Sequence, residues 1–91
     1  MIAKQAIFEG RVQGVGFRYE VKQIAMGFDV VGWIKNMPDG TVELHAMGEE
    51  EEMAEFLREI SEESAMTHHI KEMHCREIPL MDNVRGFTIT A

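Results

Sequence analysis

The stretch Val30-Val31-Gly32-Trp33-Ile34-Lys35-Asn36-Met37-Pro38-Asp39-Gly40-Thr41-Val42-Glu43-Leu44-His45-Ala46-Met47 decides how this chain folds. Its two ends, 30–34 and 41–47, are rich in β-branched and aromatic residues, which suit a pleated, half-buried surface. Between them Met37 to Gly40 bring a proline and a glycine together, as a tight turn requires. The stretch therefore reads as a β-hairpin. Before it, Phe17, Val21, Ile24, Ala25 and Phe28 fall on one face of an α-helix that Gly27 helps to end. Earlier still, Ala3 to Phe8 has strand-like length and composition and stops at Gly10. After the hairpin, Gly48 opens an acidic segment in which Met53, Phe56, Leu57 and Ile60 mark a second amphipathic helix. Ile70 to Ile78, weakly patterned, and Gly86 to Thr90 read as closing strands. The order βαββαβ predicts an α+β fold of the ferredoxin-like kind: a sandwich whose sheet is antiparallel or mixed, with both helices on one face. That architecture serves many functions and selects none.

The chain has 91 residues, 45% of them apolar, so one domain spanning 1–91 with one modest core is expected. No apolar run approaches the roughly 20 residues that cross a bilayer, so no membrane partner is expected. Met1 to Gln5 lacks an apolar stretch leading to a small-residue cleavage site, which favours a cytoplasmic location. The one cysteine, Cys75, excludes an intrachain disulfide. The net charge of -7 is unevenly spread. Residues 1–48 carry five basic and five acidic groups, whereas residues 49–91 carry four basic and eleven acidic. So acidic a protein repels phosphate backbones, and nucleic acid is not an expected partner. An anion site has to be built locally. The run Glu49 to Glu52 reads as a solvated helix start, its carboxylates facing the positive end of the helix dipole.

The segment that carries chemistry is Gly10-Arg11-Val12-Gln13-Gly14-Val15-Gly16-Phe17-Arg18, between the first strand and the first helix. Its glycines allow main-chain N–H groups to approach a ligand closely, and the helix that follows offers unpaired N–H groups to an anion. No Ser, Thr, Asp or Asn lies from Gly10 to Phe17 to cap that helix. Arg18 stands in its first turn, where a cation opposes the dipole. The plain alternative is a glycine-rich turn with Arg18 paired to Glu20 or Glu9, and composition leaves it open. The segment is neither a Walker A loop nor a dinucleotide-binding G-x-G-x-x-G, so nucleoside triphosphate chemistry is disfavoured.

Gly10-x-Val12-Gln13-Gly14-Val15-Gly16-Phe17-Arg18 resembles the first signature of the acylphosphatase family. Gly32-Trp33-Ile34-Lys35-Asn36-Met37-Pro38-Asp39-Gly40-Thr41-Val42, with Gly48 closing, resembles the second. The remainder is similar mainly in element order and in Gly86-Phe87-Thr88-Ile89; Thr67-His68-His69 and Met81 to Val84 look unlike typical members. The resemblance implies hydrolysis of acyl phosphates to carboxylate and inorganic phosphate, with no metal, cofactor or phosphoenzyme. It implies that Arg18 and the loop N–H groups of Gln13, Gly14, Val15, Gly16 and Phe17 bind the phosphoryl group, and that Asn36 orients the attacking water. Expected partners are a small-molecule acyl phosphate, with inorganic phosphate or sulfate as competing anion, and the chain is expected to be a monomer.

Asn36 taken alone is better read as a strand-ending residue before a turn, and the resemblance reverses that preference. Trp33 and Phe17, each in an apolar run, are expected in the core. His68, His69, His74 and Cys75 fit no standard zinc spacing, and strand alternation sends His74 and Cys75 to opposite faces, so no metal site is expected among them. Competing readings are a non-catalytic ligand-binding module on the same fold, or a stand-alone relative of the domain that opens a larger carbamoyl-transfer protein. The chain's ending soon after Ile89 favours a stand-alone enzyme. An RNA-recognition domain would need aromatics on its central strands and a basic face, and neither is evident.

Overall fold

The hairpin forms around β2 (Val30–Asn36) and β3 (Val42–Gly48), paired antiparallel from Val30↔Gly48 to Asn36↔Val42. A computed structural model describes residues 1–90. In it β1 (Ile2–Gly10) precedes α1 (Phe17–Ala25), and α2 (Glu50–Arg58) follows the hairpin. A π-helical turn (Glu59–Glu63) and a 3-10 turn (Thr67–His69) lead to β4 (Ile70–Ile78) and β5 (Phe87–Thr90). The sheet order is β4-β1-β3-β2-β5. β1 pairs antiparallel with β3 and β4, while β5 runs parallel to β2, so the sheet is mixed. This is the ferredoxin-like arrangement with a fifth strand added to the expected βαββαβ order. The expected strands lie within two residues of the observed ones, whereas α1 stops at Ala25, three residues short of Phe28.

Alternation along the strands decides where the helices pack. Ala6, Leu44 and Ile34 form one cross-strand row, and Phe8 faces Val42 in the next; all are buried. Onto these rows α1 lays Phe17, Val21 and Ile24, and α2 lays Met53, Phe56 and Leu57, in one continuous core. Burying a large apolar side chain there contributes roughly 1.5–3 kcal/mol. Ile60 stays fully buried although it lies in the π-helical turn. There Ser61 and Ser64 donate their hydroxyls to the carbonyls of Leu57 and Ile60, at 3.0 and 2.9 Å, and close the helix.

The other face of the sheet carries no helix and mixes polar with apolar side chains. Thr88, Trp33, His45, Gln5 and Arg76 lie in one row across five strands. Here the reading of Trp33 as a core residue is corrected. Its neighbour Ile34 takes the buried side of β2, so Trp33 lies half-buried on the open face, stacked on the His45 ring at 4.1 Å. Phe17 is buried as expected.

Candidate functional site

The loop between β1 and α1 is anchored at both ends by apolar side chains. Val12 and Phe17 are each 1% exposed, and the Phe17 ring meets Phe8 of β1 edge-to-face at 5.0 Å. Between these anchors the backbone turns through the left-handed region at Gly14 (φ 76°) and Gly16 (φ 87°), a conformation that costs most other residues about 1–2 kcal/mol. Gly16 is the N-cap of α1 and supplies no side-chain hydrogen bond. The first helical bond runs from the Glu20 N–H to the Gly16 carbonyl at 3.0 Å. Among the described residues, no backbone carbonyl accepts from the N–H groups of Gln13, Gly14, Val15 or Gly16. A row of donors at a helix start is the geometry that holds a tetrahedral oxyanion.

Arg18 is partly buried in the first turn of α1. Among the described residues it forms no ion pair. Glu9, one of its two expected partners, is instead engaged by His74 at 2.7 Å, and no bridge joins Arg18 to Glu20. The alternative of a surface arginine neutralised by a neighbouring carboxylate therefore fails, and its guanidinium is left with donors to spare.

Asn36 is the last residue of β2, opposite Val42. Its side-chain Oδ1 is buried and has no hydrogen-bond partner, alone among the side-chain polar atoms of the described residues. A buried acceptor left unpaired costs roughly 1–3 kcal/mol. A fold retains such an atom where a water or a ligand completes it. The turn beyond it is held independently. Met37 N–H donates to the Thr41 carbonyl at 2.9 Å, Gly40 N–H to that of Met37 at 3.1 Å, and Asp39 Oδ1 accepts from both the Thr41 N–H and its hydroxyl. These Thr41 bonds hold the Asp39 carboxyl below its ordinary pKa. Asn36 supplies none of these turn bonds.

One contact was not foreseen. The Gln13 side-chain amide donates to the carbonyls of Met37 and Thr41, both at 2.8 Å. This clamp draws the glycine loop against the hairpin and joins the Arg18 segment to the residue beside Asn36. A glutamine inside a glycine-rich loop, with two amide donors to place, was the available signal. Its carbonyl partners are distant in sequence and gave none.

The histidines lie elsewhere. The His68 and His69 rings, both in the 3-10 turn, lie tilted against each other with centroids 4.2 Å apart. His74 lies on the open face between Glu9 and Glu72, with Nε2 at 2.7 and 3.0 Å from their carboxylates. These three are the one group among the described residues whose donor atoms converge as metal ligands do, and a half-exposed hydrogen-bonded triad accounts for them without an ion. Cys75 registers opposite Ala6, on the other side of β4 from His74. Burial pushes its thiol pKa up, away from reactivity. A surface depression is lined by Glu49, Glu50, Glu51, Glu52 and Ala54, and its carboxylates repel anions. The glycine loop, by contrast, combines open donors with a cation.

Comparisons with known proteins match nearly the whole chain. A family model described as Acylphosphatase matches residues 4–89. An acylphosphatase of Bacillus licheniformis is 38% identical over 90 residues, covering 99% of each chain. The crystal structure of acylphosphatase from Bacillus subtilis superposes with a TM-score of 0.87 at 32% identity, covering 100% of both chains. The crystal structure of T. kodakarensis HypF superposes at a TM-score of 0.85 and 30% identity, covering 100% of this chain but 12% of that one.

Proposed function

This chain belongs to the acylphosphatase family, enzymes that hydrolyse acyl phosphates, and from that premise we propose that catalysis rests on Arg18, the loop N–H groups and Asn36. The phosphoryl group is held by the Arg18 guanidinium together with the N–H groups of Gln13, Gly14, Val15, Gly16 and Phe17. Asn36 Oδ1 accepts a hydrogen bond from the attacking water and aims its oxygen in line with the bond that breaks. The buried, unpaired state of that oxygen carries the reading.

The chemistry needs little else. The leaving carboxylate has a conjugate acid of pKa about 4 and departs without protonation. Phosphoryl transfer through a loose transition state needs in-line positioning and stabilisation of charge on three equatorial oxygens. Arg18 and the loop donors meet the second need, Asn36 the first, and a phosphate oxygen of the substrate can take the proton from water. No step calls for a metal ion, a thiol or an imidazole. The same donors bind free phosphate or sulfate, which then compete with substrate.

The direct test is acetyl phosphate with excess chelator, following phosphate release. Hydrolysis proceeds at full rate, and phosphate monoesters are poor substrates, because an alkoxide leaving group needs an acid that this site lacks. Loss of activity on chelation, or rapid monoester hydrolysis, removes the mechanism.

A further inference from the structure

β4 is outermost in the sheet, and its outer backbone edge is unpaired among the described residues. Its sequence is Ile70-Lys71-Glu72-Met73-His74-Cys75-Arg76-Glu77-Ile78. Lys71 to Arg76 are exposed except for half-buried Met73, Glu77 is exposed, and an isoleucine at each end is half-buried. Charges on an edge strand ordinarily guard it against pairing. Here their order does the opposite, because Glu72 and Arg76, two residues either side of His74, carry opposite charges.

We propose that β4 is a homodimer interface, where two copies of this chain pair antiparallel, edge to edge, about a two-fold axis at His74. That register places Glu72 opposite Arg76 of the second copy and Met73 opposite its Cys75. The axis generates each contact twice, giving two pairs of opposite charge in regular strand. Directly opposed residues point to the same face of a sheet. Glu72–Arg76 therefore align on the open side and Met73–Cys75 on the helix-covered side, and the two sheets continue as one.

Neighbouring registers lack this match. Centred on Met73, the strand sets Lys71 against Cys75 and Ile70 against Arg76. Centred on Cys75, it sets His74 against Arg76 and Met73 against Glu77. A shift by one residue opposes side chains from different faces. Pro79, with no N–H to donate, ends the ladder just past Ile78. β4 is in regular register with β1 from Glu72 to Ile78, and its bulge falls at Lys71, between Ile70 and Glu72, outside the Glu72–Arg76 pairs. The occupant is thus a second copy, because β4 carries its own charge complement in Glu72 and Arg76.

Analytical ultracentrifugation of the whole chain over a wide concentration range is the test. The wild type associates to a dimer. Arg76→Glu sets two glutamate pairs face to face and raises the dimer dissociation constant at least about tenfold, as does Glu72→Arg. The double variant Glu72→Arg with Arg76→Glu restores the charge pairing and recovers the dimer. Acetyl phosphate hydrolysis serves as the fold check, since neither residue belongs to the proposed catalytic site. Independently, His74→Cys combined with Cys75→Ser brings two cysteines to the axis, and oxidation yields a covalent dimer. A wild type that stays monomeric throughout overturns the proposal, as does a dimer indifferent to charge reversal.

Discussion

The two helices begin in opposite ways, although their N-termini pose the same physical problem. Each leaves its first N–H groups without helical acceptors, and neither N-cap residue supplies a side-chain hydrogen bond. At α2 the chain places Glu50, Glu51 and Glu52 in the first turn, and Glu52 also accepts from the Asp29 N–H at 2.7 Å. At α1 the cap is a left-handed glycine, and the first turn holds Arg18. One terminus neutralises its dipole with its own carboxylates. The other adds positive charge to it, a conflict that an arriving anion relieves. A helix start is therefore not a site in itself. What makes one is the withholding of every local acceptor.

The sharpest way to break this comparison is to remove the cation from α1. Arg18→Ala is expected to lower turnover by roughly three orders of magnitude, on the scale of arginines that stabilise transferring phosphoryl groups. Arg18→Lys recovers little, because a point charge does not reproduce a planar two-pronged contact. Steady-state kinetics on both variants checks this, and a near wild-type lysine variant would show that charge alone is required. Next in size is Asn36→Ala. If Oδ1 positions water, kcat falls roughly 100-fold while KM and phosphate affinity hold nearly constant. If Asn36 only finishes β2, about 1 kcal/mol of stability is lost and the activity per folded molecule is kept. The turn bonds from Met37 to Thr41 involve no Asn36 side-chain atom, so the fold is expected to survive.

A smaller, equilibrium effect tests the α1 terminus without chemistry. Inorganic phosphate at about a hundred times its dissociation constant adds about 2.7 kcal/mol of stability by mass action. The melting temperature rises accordingly, and Arg18→Ala suppresses the rise. Phosphate that shifts the melting temperature of wild type and Arg18→Ala alike binds somewhere else.

These outcomes bear on how much could be read before folding. The hairpin, both helices and the first strand follow from periodicity, since an amphipathic pattern states which face is buried. The glycine loop stood out because it lacks what helix starts normally have, and Arg18 because it breaks a local rule. Trp33 misled because the run 30–34 is apolar throughout, and only pairing with His45 shows that one side of it faces outward. β4 was faint for a related reason. It is an edge strand with most side chains in solvent, so alternation has little to record. The Gln13 clamp was invisible because both of its acceptors are backbone carbonyls more than twenty residues away, and any residue type offers a carbonyl. Periodicity reports burial, whereas a clamp of this kind reports tertiary proximity.

The smallest expected effect is at α2, and its sign matters more than its size. Glu51 is exposed and Glu52 only partly so, yet Glu52 holds the Asp29 N–H just ahead of β2. Glu51→Gln removes a dipole interaction of about 0.3–1 kcal/mol, but it also relieves repulsion from three neighbouring carboxylates. Its net effect on stability is a few tenths at most and fades as salt rises. Glu52→Gln gives up a charge-assisted bond in addition and costs about 1 kcal/mol, a loss that salt reduces only in part. Neither change touches the proposed phosphate site, so kcat stays constant. Each raises the net charge from -7 by one unit, which slightly favours approach of an anionic substrate, so kcat/KM is level or marginally higher at low salt. Chemical denaturation and steady-state kinetics at two ionic strengths separate these terms. A fall in kcat for Glu51→Gln would mean that the acidic helix start takes part in the reaction, and the contrast between the two termini would then be one of degree rather than of kind.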